Sequence, residues 1–361
     1  MVQARGLAVM KARRGDSARR RREDEGAGRS SDQPPSRLAA RPAGVNDRAP
    51  YRGLLSPTDK VVIAYIIIIS ALILAFSYRI DLWRQLIAAH AMGVASVVLA
   101  AKWERRAGEK HYGRVGERAA GLSDRPSPSI RAARFVRGWY PVALIPITFT
   151  ELRYLIPLIH PRDYDLELAA IDYRMFGVHP TVWLERLTRP LLTEALQISY
   201  VTYYFLPITL GAVLWRKGWA DKYHFWVFVV AFGFYISYLG YMAVPAIGPR
   251  FLPLIKDAQT FPLKGVWLFD ALRSTLDEAE GVTRDCFPSG HTEITLLVLY
   301  YARKFHRRTF WWLLPPATML IFSTVYLRYH YVIDIAAGAV VALAVALAAK
   351  PIHRALGGEL R

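Results

Sequence analysis

Long apolar runs separated by short charged stretches organise this chain. A helix needs roughly 17–25 mostly apolar residues to cross a bilayer, and such runs recur at about 61–78, 85–101, 138–159, 193–215, 223–244, 289–302, 309–328 and 331–349. The pattern predicts an all-α integral membrane protein with eight crossings. The sixth run is short if counted from Ser289, but its far end, LLVLYYARKF, carries tyrosines and cations suited to an interface. Between the third and fourth runs, residues 162–187 mix charged and apolar positions, which predicts short amphipathic helices at the outer interface. Asp163, Asp165, Asp172, Arg162 and Arg174 in that stretch read as scaffold. The polar loop from Pro245 to Pro288 is long enough to shape a site or a lid.

A formal charge of +18 and the run Arg19-Arg20-Arg21-Arg22 invite a nucleic-acid reading. Topology explains the charge better, and no nucleic-acid partner is expected. Cations cluster in 5–52, in 102–137, at Arg216, Lys217 and Lys222, at Arg303, Lys304, Arg307 and Arg308, and at Lys350 and Arg354. All of these fall on one side of an eight-crossing arrangement, while the loops 160–192 and 245–288 are balanced, as the positive-inside bias requires. Both termini are then cytoplasmic, and His291 and His330 lie at the extracytoplasmic face, most simply of the plasma membrane. Residues 1–58 lack the apolar core of a signal peptide and read as a disordered basic tail drawn to anionic lipids. A transmembrane hairpin follows over 59–103, then a basic cytoplasmic linker over 104–137, a six-helix catalytic bundle over 138–350 and a short tail over 351–361. The single cysteine, Cys286, excludes an intrachain disulfide and a cysteine-rich zinc site, and reads as a small packing residue.

Candidate chemistry lies in CFPSGHTEITL, residues 286–296, and in YLRYHYVID, residues 326–334. Pro288-Ser289-Gly290-His291 reads as a helix start with Ser289 as the cap, and its unpaired amides form an anion site. His330 and Asp334 are four residues apart, so a helix puts them on one face, where the carboxylate takes one ring nitrogen and leaves the other free. A histidine nucleophile, a histidine acid and a phosphate-sized anion site together describe phosphoryl transfer through a phosphohistidine. Arg250 and Arg284 are the nearest cations for the nonbridging oxygens. Glu151, Arg153 and Glu194 fall in or near apolar runs, where unpaired charge is costly; they read either as paired with one another or, with Tyr200, as a head-group pocket.

These motifs resemble the membrane-bound type-2 phosphatidate phosphatase superfamily, in which PSGH is the second signature and HxxxD closes the third. CFPSGH and TVYLRYHYVID are similar to the inositol phosphorylceramide synthase-like branch, and the likeness extends over about 145–345. The resemblance implies His330 as nucleophile, Asp334 as its orienting partner, His291 as acid and base, and Ser289 with Gly290 as phosphate binders. Arg250, in AIGPRF, matches the arginine of the first signature. Three departures stand out: Ala243 where that signature has Lys, Phe251 where it has Pro, and Ser323-Thr324 where the third signature begins Ser-Arg. Arg328 or Arg284 could supply the missing guanidinium.

The sequence reading is therefore an enzyme passing a lipid phosphate or phosphodiester group to an alcohol such as a polyol. Water as acceptor, which would make it a lipid phosphate phosphatase, is the alternative. A serine hydrolase built on Ser289 and His330, a metal site from the two histidines and Asp334, and a transporter or scaffold are the more distant readings. No metal or other cofactor is expected.

Overall fold

The computed structural model describes residues 51–117, 127–280 and 284–360. The tail expected over 1–58 lies, for residues 1–50, outside that description. Among the described residues the secondary structure is helical apart from a single bridge between Tyr51 and Gly358. In chain order the helices are α1 (Pro57–Ala75), α2 (Trp83–Glu117), α3 (Pro128–Thr150), α4 (Leu152–Ile159), α5 (Asp165–Phe176), α6 (Pro180–Trp183), α7 (Pro190–Val201), α8 (Phe205–Arg216), α9 (Ala220–Ala243), α10 (Pro253–Lys256), α11 (Phe269–Glu280), α12 (Gly290–Phe305), α13 (Arg307–Tyr326) and α14 (Val332–Ala355).

Five spans among these are long and apolar enough to cross a membrane: α1, α2 over Trp83–Lys110, α7 joined to α8 over Pro190–Arg216, α9 and α14. The pair α3 and α4, bent by 41° at Glu151, makes a sixth. The runs read as sixth and seventh crossings do form helices, but α12 falls short of that length and α13 of that composition. The reason is local. α12 has 16 residues and ends in Arg303 and Lys304, whereas α13 opens on Arg307 and Arg308 and contains Pro315 and Pro316.

Local chemistry sets the helix starts. Ser56 caps α1, accepting from the Asp59 amide at 3.2 Å, with Pro57 in the first turn where its missing N–H is no loss. Ser127 and Pro128 repeat the device at α3. The basic segment 104–137 is helical over most of its described length. α2 runs on to Glu117 and α3 begins at Pro128, because Glu, Lys and Arg are good helix formers that carry the pattern past Gly108.

α12 is the centre of the bundle, packed on α8, α9, α13 and α14. One core gathers Leu206, Leu210, Phe225, Val229, Leu297 and Ala342 from those elements. A second core gathers Val62, Ile66 and Ile69 of α1 with Leu152, Leu155 and Tyr238, so the N-terminal hairpin is packed against α3, α4 and α9.

Candidate active site

The N-terminal ends of α12 and α14 meet side by side. The Ser289 amide donates to the Asp334 carbonyl at 3.0 Å. Gly338 makes the approach possible, because a Cβ there would drive into the Ser289 carbonyl. Ser289 is fully buried and its Oγ accepts from the Thr292 amide at 3.2 Å, so that hydroxyl serves as the helix cap. The amides of Gly290 and His291 open the helix and have no partner within it, which leaves them for an anion.

His330 precedes the first turn of α14. Its Nδ1 faces Asp334 Oδ2 at 3.3 Å, and its Nε2 points to His291 Nδ1 at 3.5 Å. Asp334 Oδ2 also accepts from the Tyr331 amide at 2.8 Å and from the Cys286 thiol at 2.9 Å. Three donors therefore fix one carboxylate oxygen, and that oxygen fixes the imidazole tautomer with Nε2 free to act. Burial of Cys286 pushes its thiol well above the usual range, helped by the neighbouring Asp334 charge, so it stands as a neutral donor. Nothing in the sequence signals this contact beyond the closeness of Cys286 to PSGH.

His291 lies between aromatic rings, 4.1 Å from Tyr203 and 4.5 Å from Tyr200, centroid to centroid. Tyr200 stacks on Tyr329 at 4.3 Å, and the Arg250 guanidinium covers Tyr329 at 4.8 Å. This ladder joins the one expected phosphate-binding arginine that borders the site to the expected acid. His291 Nε2 has no hydrogen-bond partner among the described residues. The two ring nitrogens are 3.5 Å apart, so a phosphate between them requires the imidazoles to part.

The remaining residues singled out in the sequence divide. Arg250 is paired with Asp277 of α11 at 2.8 Å, and Arg284 is paired with Asp163. Arg328 is held away from the histidines, donating to Glu185 Oε1, Gln259 Oε1 and the Phe261 carbonyl at 2.7 Å each. Its φ of 68° lies in the left-handed region, and those three acceptors sustain the unusual backbone just before His330. Neither expected pairing of Arg153 occurs. Glu151 meets His90 Nε2 at 2.7 Å, Arg153 lies over Tyr154, and Glu194 accepts from the amides of Val266, Trp267, Leu268 and Phe269 at the start of α11. Of the four residues offered as a head-group pocket, only Tyr200 reaches the histidines.

The α5 carboxylates support the site from behind. Asp165 accepts from the amides of Ile247 and Gly248 and from the Tyr331 hydroxyl, while Asp172 accepts from the amides of Val332 and Ile333 and so caps α14. Burial raises both carboxyls, and these hydrogen bonds oppose it by favouring the charged form. Gly248 has φ +91° and lies against the Tyr329 carbonyl, a place with no room for a side chain. Asp285, half-buried beside the site, is pushed up to about 6 by burial, against the pull of His330 and Arg250.

The donor atoms of Cys286, His330 and Asp334 lie within 4.8 Å of one another, a spacing a metal ion could bridge. They already satisfy one another through the thiol–carboxylate and imidazole–carboxylate contacts. An apolar cavity of about 550 Å³ reaches His291 and Asp285 from within the bundle.

Comparison with known proteins places the chain in a family. A family model described as the PAP2 superfamily matches residues 166–348, just over half of the 361 residues. A PA-phosphatase related-family protein of Dictyostelium discoideum is 25% identical over 162 residues, covering 40% of this chain and 29% of that protein. The match thus spans less than a third of that relative's length. No solved structure gives a significant match.

Proposed function

Because the chain belongs to the PAP2 superfamily, we propose that it is a membrane enzyme that takes a phosphoryl or substituted phosphoryl group from a lipid through a phosphohistidine on His330. The observation that carries this reading is the succession of contacts from Asp334 Oδ2 to His330 Nδ1, and from His330 Nε2 to His291 Nδ1 in the first turn of α12. In the first half-reaction His330 Nε2 attacks phosphorus. The P–O bond to the lipid alkoxide breaks, and His291 gives that oxygen a proton. In the second half-reaction His291 takes a proton from the acceptor hydroxyl, whose oxygen attacks phosphorus and frees His330. The α12 amides and Arg250 balance charge on the nonbridging oxygens throughout.

An alcohol acceptor such as a polyol is favoured over water. Arg284 and Arg328 are engaged with Asp163 and Glu185, so few cations remain for a doubly charged monophosphate, whereas a diester carries one charge. The substitution of Ser323-Thr324 for Ser-Arg supports the same synthase-like branch. The reading includes eight crossings with α12 and α13 among them, cytoplasmic termini, and a site facing the extracytoplasmic side of the plasma membrane. It also keeps anionic lipids as partners of the basic tail. A serine hydrolase is disfavoured, since Ser289 Oγ is spent on the α12 cap.

The test is an alkaline detergent quench of the full-length protein with ³²P-labelled lipid phosphate or diester, followed by acid or alkali treatment of the trapped label. An acid-labile, alkali-stable phosphoenzyme that disappears in His330→Ala and discharges faster with inositol than with water supports the proposal. Turnover without such an intermediate refutes it.

A further inference from the structure

The cavity that reaches His291 is a slot between α3 and α8, backed along its length by one face of α9. That face presents Tyr223, Trp226, Val230, Phe234, Tyr238 and Tyr241 at helical spacing. From Tyr241 to Tyr223 the wall extends about 27 Å at 1.5 Å per residue. One leaflet of a hydrocarbon core measures only about 15 Å. The slot opens sideways, past Val142 of α3 and Tyr204 and Phe205 at the start of α8, all exposed.

The end remote from His291 is lined by Gly138, Trp139 and Tyr223. Trp139 of α3, Trp215 of α8 and Tyr223 of α9 meet ring to ring, at 6.5 Å for the two tryptophans, 5.8 Å for Trp139 with Tyr223 and 4.9 Å for Trp215 with Tyr223. The Tyr223 hydroxyl donates to the Gly138 carbonyl at 2.9 Å, and Trp226 Nε1 donates to the Pro207 carbonyl at 3.0 Å. Each spends its polar atom on backbone and turns its ring to the slot. Gly138 lets α3 close on this floor, because a Cβ there would lie 2.9 Å from the Tyr223 hydroxyl.

We infer that this slot holds one hydrocarbon chain of the substrate lipid, that the chain passes the bilayer midplane, and that the Trp139–Trp215–Tyr223 floor sets the longest chain accepted. The inference rests on the lipid reading proposed above, and continuity argues for it: His291 and Asp285 form one end of the same cavity. Any second chain stays in the bilayer beyond the lips. Moving a chain from lipid into an apolar slot gains little from the hydrophobic effect, since both surroundings are apolar. Selection then comes from exclusion by the floor and from packing along α9.

The test uses full-length protein in vesicles with long-chain alkyl phosphates carrying a diazirine at the terminal carbon or at mid-chain. The terminal probe should label peptides holding Trp139, Trp215 or Tyr223, the mid-chain probe those holding Ile208 or Phe234, and unlabelled substrate should compete with both. Ile208→Trp and Val142→Trp, which narrow the slot from opposite walls, should lower the floor label by about tenfold through overpacking. If neither variant reaches the membrane, competition in the native protein decides. Label that no substrate displaces, label equally strong on the exposed Leu343 and Leu347 of α14, or floor label unchanged in both variants overturns the inference. His330→Ala should keep the label. Competed floor label without any phosphoenzyme in the native protein would remove the His330 reading alone, and phosphoenzyme without floor label would remove the slot alone.

Discussion

Replacing Asp334 by Asn separates the orienting role of this residue from its charge. Asp334 is fully buried, and its Oδ2 receives the Tyr331 amide, the Cys286 thiol and His330 Nδ1. An asparagine that turned its NH₂ toward these three would set donor against donor, so its carbonyl oxygen must take the Oδ2 position. The tautomer of His330 survives. What is lost is the difference between a charge-assisted and a neutral hydrogen bond to an imidazole that becomes cationic during attack, about 1.5–2 kcal/mol. At 1.36 kcal/mol per decade, this lowers kcat by roughly 10- to 30-fold. The loss is far smaller than the roughly 10⁴-fold fall seen where the same change installs the wrong tautomer in a serine protease triad.

The assay is steady-state turnover in mixed micelles with a rapid quench for the phosphoenzyme, run beside His330→Ala. Asp334→Asn should slow formation of the intermediate while KM changes little, because no substrate contact is removed. A decrease smaller than about threefold would mean the carboxylate does not assist attack, and a loss as complete as that of His330→Ala would mean the Tyr331 and Cys286 donors do not hold the orientation.

Asp277→Ala frees Arg250 from its partner at 2.8 Å, so KM for a lipid phosphate should fall several-fold while Arg250→Ala raises it; equal KM in all three proteins would refute a role for Arg250 in binding. Asp285 is neutral below about pH 6 and anionic above it. With a phosphodiester of constant single charge, KM should therefore rise as pH passes up through about 6, and Asp285→Asn should remove that rise. Cys286→Ala withdraws one of three donors from Asp334 Oδ2 and should leave the His330 contact shorter; kcat near the native value with a displaced pH profile is expected, and an unchanged profile counts against the thiol's influence. Turnover should survive EDTA, and activity lost to chelation and restored by Zn²⁺ would favour a metal at Cys286, His330 and Asp334.

The helices were legible because apolar runs of membrane length leave few other structures for a backbone that must satisfy itself. Their boundaries were less so, since Arg303, Lys304, Arg307 and Arg308 mark the turn between α12 and α13 without telling how far the apolar part extends. At the site, His291 and Ser289 were readable because capping is local; the His330–Asp334 pair was readable from its short separation, although His330 lies ahead of α14 and not on one helix face with Asp334 as expected. Cys286 could not be, because its partner lies 48 residues along the chain and only the contact between the starts of α12 and α14 brings them together. The cations failed for the complementary reason. Charge in a sequence does not announce its counter-ion, and Arg328 answers to Glu185, 143 residues away.

The packing of the N-terminal hairpin is legible only in three dimensions, and its contacts bear on the slot. At one end Arg137 of α3 meets Asp59 of α1 at 2.7 Å and Glu104 of α2 at 3.3 Å, with Tyr51 and Tyr140 completing the group. Farther along, Ser70 of α1 donates to the Ile66 carbonyl and so accepts from His90 Nδ1, whose Nε2 faces Glu151 at the α3–α4 bend. Each group leaves charge buried if one member departs, a loss of about 3–5 kcal/mol for a broken buried pair. Both groups hold α3, one at its middle through Arg137 and one at its end through Glu151, and α3 is the slot wall opposite α8. A wall carrying Pro141 and Pro146 lacks two of its own backbone hydrogen bonds. Fastening it from outside, by side chains of α1 and α2, keeps the width of the slot from depending on α3 alone.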